Sequence, residues 1–127
     1  MDVSFVNFVN PANRATAERH HKKLAYILPP WLYELSIECC DDQSKELLGE
    51  CYVDSRYRRA RVLLYPGYFV DTDAKQLNAL RHEYVHILMG GLAETLALLT
   101  LDDRSIEYHH ESATEDIARL LASLETP

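Results

Sequence analysis

The sequence predicts an α+β fold: a small, mainly antiparallel three-stranded sheet packed on helices. Three observations lead there. The composition is globular, 47% apolar and 26% charged, and 127 residues suit a single domain (1–127) that can bury a core without disulfides. Strand-like segments run together in mid-chain instead of alternating with helices. The segments on either side carry helix start and stop signals.

In chain order, "VSFVNFV" reads as a short strand or an extended arm. "NPANRATAERHHKKLAYIL" reads as a helix, with Asn10 as N-cap, Pro11 at the first helical position and Pro29-Pro30 as the stop. His20 and His21 lie on it with no partner at helical spacing and are expected at the surface. "WLYELSIECC" alternates, is rich in strand formers and runs into a polar turn. "GECYVDSRY" and "RARVLLYPGYF" read as a strand hairpin ended by Pro66-Gly67. "DTDAKQLNALRHEYVHILMGG" is the clearest helix, with a capping box of Asp73 and Gln76 and an end at Gly90-Gly91. "LAETLALLTLDD" follows, readable as a short helix, and a last helix runs from about Arg104 to Leu124. No internal repeat, low-complexity tract or linker interrupts this order.

Thirteen basic against twenty acidic side chains give a net charge of -7. That sign argues against nucleic acid as the main partner, because phosphate binding needs a basic surface. The basic cluster "SRYRRAR" reads first as a solvated hairpin tip and second as a rim for an acidic partner. No signal peptide or membrane span is evident, so the expected location is cytoplasmic. Cys39, Cys40 and Cys51 lack zinc-knuckle spacing and are expected as reduced thiols.

The stretch carrying chemistry is His82-Glu83-Tyr84-Val85-His86. Histidines four apart on a helix share one face and can aim two imidazole nitrogens at one metal ion. Glu83 flanks that point without being a ligand, which suits a general base for water that the metal acidifies. The helical wheel sets Leu77, Leu80, Tyr84, Ile87 and Leu88 on the opposite side, so the histidines look into a cleft rather than the core.

A catalytic zinc usually takes three protein ligands. The third is not a histidine six residues after His86, because Met89 stands where the glycine of that pattern falls and no such histidine follows. The last helix offers Glu111, Glu115, His109 and His110. Ile106, His110, Ala113, Ile117, Leu120, Leu121 and Leu124 make its apolar stripe. Glu111 and Glu115 share a column continued by Ala118 and Ala122, small residues that permit close approach to another helix.

With these residues the chain resembles the gluzincin metallopeptidases, which carry His-Glu-x-x-His on one helix and a glutamate ligand on a following one. The layout is similar to compact single-domain zinc peptidases of phages and bacteria and, more loosely, to the ImmA/IrrE-type proteases. Where this family has asparagine before the glutamate ligand, His110 stands here; four after that ligand Glu replaces the usual Asp. The resemblance implies a zincin-like fold and one Zn2+ per chain, held by His82, His86 and Glu111, with Glu115 and His109 or His110 as rivals for the third place. It also implies that Glu115 orients a histidine ligand from outside. Glu83 would then serve as base in the hydrolysis of a peptide or protein substrate. Tyr108, His109 and His110 are candidates to stabilise the oxyanion. "RVLLY" (Arg61, Val62, Leu63, Leu64, Tyr65) would be the edge strand that pairs with an extended peptide. The rival reading is a non-catalytic, metal-binding regulatory or interaction protein that keeps a zincin site.

Overall fold

A computed structural model of the chain describes the backbone of residues 1–98 and 103–125, and the side chains of 1–90, 111–119 and 121–125. Four strands form one sheet: β1 (Asp2–Val6), β2 (Glu34–Cys39), β3 (Gly49–Asp54) and β4 (Arg59–Leu64). Their spatial order is β1-β2-β4-β3. β1 pairs parallel with β2, β2 pairs parallel with β4, and β3 pairs antiparallel with β4. The fold is therefore mixed α/β, and the expected three-stranded, mainly antiparallel sheet is corrected. The difference begins with "DVSFV". It is a full strand, and α1 (Pro11–Leu24) carries the chain back to a parallel neighbour, making a βαβ unit. A second correction follows from the order. β4, which holds most of "RVLLY", is interior and bonded on both sides; the edges are β1 and β3.

The register separates the two faces. Val3, Leu35, Ala60 and Val53 align across the sheet, as do Phe5, Ile37, Val62 and Cys51. These rows meet the helices, and Ile37 and Val62 are fully buried. Burying such a side chain contributes about 1.5–3 kcal/mol. The other face is polar, with Ser4, Ser36, Arg61 and Tyr52 in one row.

Asn10 caps α1 through its side chain, bonding the Ala12 N–H at 2.8 Å. A short 3₁₀ turn, Ala25–Ile27, ends the segment before Pro29. His20 and His21 are not surface residues. His20 is 1% exposed, and His21 is half-buried against Tyr84. The reason is that this face of α1 packs on the helices that follow, whose tyrosine hydroxyls satisfy the imidazoles.

Pro66 and Gly67 do not merely end a strand but open a short helix, α2 (Pro66–Val70). The long helix α3 spans Asp73–Leu98. Its first turn is capped by Thr72, whose Oγ1 accepts from the Lys75 N–H at 3.3 Å. Asp73 is not the cap; its carboxylate faces His20 and Arg19, while Gln76 donates to the Tyr68 carbonyl. Gly90-Gly91 do not end the helix either. A Cβ on Gly90 would lie 2.7 Å from Val53 Cγ1, so the glycine serves the close crossing of α3 over β3. Leu77, Leu80, Tyr84 and Ile87 are buried as the wheel requires, whereas Leu88 is exposed.

Helix α4 (Asp103–Glu125) packs along α3. It faces α3 with Thr114 and Ala118, both buried, while Leu124 of the expected apolar stripe is exposed. Buried Arg81 holds the far end of α4 through Glu125, which also accepts from Tyr26. The three cysteines are free thiols. Among the described residues no helix is long and apolar enough to cross a membrane.

Candidate metal centre

The i,i+4 spacing on α3 brings His82 and His86 side by side, ring centroids 4.7 Å apart. Their Nε2 atoms stand 3.1 Å from each other. The column on α4 then supplies Glu111, with Oε1 2.8 Å from His86 Nε2 and Oε2 3.6 Å from His82 Nε2. Three ligand atoms, one from each residue, lie within 4.8 Å of one another.

This set fits a divalent metal by its chemistry and spacing. Two imidazoles and a carboxylate are a common donor set of catalytic zinc, and donors around a tetrahedral zinc sit about 3.3 Å apart at ordinary bond lengths. The tautomer also agrees. Glu115 Oε2 lies 2.9 Å from His82 Nδ1. A carboxylate can only accept, so Nδ1 carries the hydrogen and, in the neutral ring, Nε2 turns a bare lone pair towards the cluster. Arg119 steadies Glu115 at 3.1 Å. Glu115 therefore occupies the outer position, and Glu111 the inner one. The side chains of Tyr108, His109 and His110 lie outside the described residues.

Glu83 leaves the cluster on the side of β3. It is 8% exposed, packed against β3 near Gly49. Burial, then the charge of Glu111, pushes its carboxyl up to about 8, and a hydrogen bond with the Cys51 thiol works against that rise. The Cys51 thiol is itself pushed up, by burial first and then by Glu83. A dication between the ligands would oppose the rise at Glu83, since a nearby positive charge favours the carboxylate.

The contact between Cys51 and Glu83 escaped the sequence reading, yet a signal existed. Strand alternation in "GECYVD" puts Cys51 on the face of Gly49 and Val53, both of which meet α3. Arg61 to Tyr65 do not come to the site as an edge, because β4 is covered on both sides. β3 takes that place beside α3, and among the described residues it pairs on one side only.

Compared with known protein families, curated proteins and solved structures, the chain matches none of them.

Proposed function

We propose that this protein is a zinc-dependent peptidase. One observation carries the reading: His82, His86 and Glu111 converge from two helices, and Glu83 lies beside them without joining the set. A zinc ion held there would supply acidified water and polarise a carbonyl. The chain's own residues do the rest. Glu115 orients His82, Glu83 takes the proton of the attacking water and hands it to the departing amine, and the Cys51 thiol holds the Glu83 carboxylate from the β3 side. The edge of β3, in place of "RVLLY", suits an extended peptide, whose main chain would pair with an open strand.

A second reading is a metal-binding regulatory protein without catalysis, favoured by the low exposure of Glu83. Glu83→Gln separates the two. In the first reading it retains zinc, measured by elemental analysis, and lowers hydrolysis of a peptide mixture by about 10²–10⁴-fold. Hydrolysis that persists at the wild-type rate in this variant would remove Glu83 as base. Wild-type protein that binds zinc and cuts nothing would favour the second reading.

A further inference from the structure

The turn between β3 and β4 concentrates positive charge on an acidic chain. Arg56, Arg58, Arg59 and Arg61 fall within six positions, against a net charge of -7 overall. Each guanidinium lies against a tyrosine: Arg58 is 5.1 Å from the ring centre of Tyr33, Arg59 and Arg56 are 5.2 and 6.0 Å from that of Tyr57, and Arg61 is 5.8 Å from that of Tyr52. All three tyrosines are exposed. Arg61 is already committed to Glu38 at 2.7 Å, and Arg56 reaches Asp54 only at 4.0 Å. Neither Arg58 nor Arg59 closes an ion pair among the described residues, although Glu34 and Asp54 stand opposite Arg59 in the sheet register. Their donors are held in place by stacking and left open to an incoming acceptor.

The backbone supplies a second observation. Arg58 has φ of 56°, in the left-handed region, directly after a turn closed by its N–H on the Ser55 carbonyl. Glycine or asparagine is the residue that such a position favours. An arginine there holds a backbone conformation that glycine would relax.

We infer that this hairpin is an exosite for acidic side chains of the peptide that the cleft receives. Guanidinium forks match carboxylates in geometry and charge. β3 runs from Cys51, beside Glu83, to Asp54, about 10 Å along at strand spacing, and the arginine turn begins there. A peptide extended along β3 would bring to the arginines the side chains about three or more residues from the bond that is cut. That position rests on the peptidase reading; the preference for carboxylates does not. A long polyanion such as nucleic acid is disfavoured by the acidic remainder of the surface.

The test is fluorescence anisotropy on Glu83→Gln protein, with a labelled glutamate-rich peptide, its glutamine counterpart and a labelled oligothymidylate. The glutamate peptide is expected to bind about tenfold tighter than the glutamine one and to weaken as salt rises. Arg58→Gly is expected to cost about fivefold in that binding while its thermal midpoint stays or rises, since glycine relieves the backbone. Equal binding of the two peptides, or full binding by Arg58→Gly, overturns the exosite. Tighter binding of the oligothymidylate also overturns it, in favour of a nucleic-acid surface. Absence of zinc or of hydrolysis in the wild type would defeat the peptidase reading alone, because the binding comparison needs neither.

Discussion

Two histidine pairs sit on neighbouring helices, and their fates differ. His20 and His21 are adjacent on α1, so their side chains diverge by about 100° around the helix. Each finds its own partners. His20 Nε2 meets Asp73 and its Nδ1 meets the Tyr68 hydroxyl, both at 2.8 Å, and His21 Nδ1 meets the Tyr84 hydroxyl at 2.6 Å. His82 and His86 are four apart, so their rings converge, and their Nε2 atoms share one carboxylate, Glu111. The same residue type makes a structural clamp at one spacing and a metal-shaped cluster at the other. What separates them is whether the lone pairs are used up by hydroxyl donors or collected at one point.

Four expected outcomes sharpen this contrast, the largest first. On the proposed peptidase function, His86→Ala should lower peptide hydrolysis by at least about a thousandfold, since a metal at this centre would lose a ligand. His20→Ala, assayed alongside, should retain hydrolysis. Equal losses in both would erase the distinction between the pairs. Next, Glu115→Ala should weaken zinc affinity by about 10–100-fold, the usual cost of losing the group that orients a histidine ligand. A competition titration with a zinc chelator reads that directly, and unchanged affinity would leave Glu115 without a role.

The third outcome concerns stability. His20→Ala leaves the buried Tyr68 hydroxyl without its imidazole partner and opens a gap between α1 and α3. A loss of about 2–3 kcal/mol in urea unfolding is expected. A loss below about 0.5 kcal/mol would show that His20 behaves as an ordinary surface residue.

The smallest effect is a pH dependence at His21. Burial lowers its pKa below the ordinary 6.5. The unfolded chain then takes up a proton before the folded one does, so stability is complete above 6.5 and declines as pH falls through the folded value. Urea midpoints of wild type and His21→Gln, compared from pH 7 to pH 5, should draw together as the wild type loses this contribution. Parallel curves would rule it out.

Much of the site was legible in the sequence because helix geometry is periodic. The spacing of His82 and His86, the flanking Glu83 and the column of Glu111, Glu115, Ala118 and Ala122 follow from about 100° per residue. The sheet was harder to read, for physical reasons. Parallel pairing of β2 with β1 and β4 depends on contacts far apart in sequence, which local alternation does not encode. Gly90 carries the composition of a helix end but answers a crossing by Val53, and only the tertiary arrangement distinguishes the two. Asp73 has the residue type of a cap, yet Thr72 caps and Asp73 is drawn to His20. His20 and His21 looked solvated because their partners lie on α2 and α3, far along the chain.

The contrast between the pairs reduces to metal binding, expected of His82 and His86 with Glu111 and not of His20 and His21. Elemental mass spectrometry of purified wild type, Glu111→Ala and His20→Ala tests it most directly. About one zinc per chain is expected in wild type and in His20→Ala, with zinc lost or much weakened in Glu111→Ala. A wild type that takes up no zinc at neutral pH, or a Glu111→Ala variant that holds it undiminished, would contradict the account.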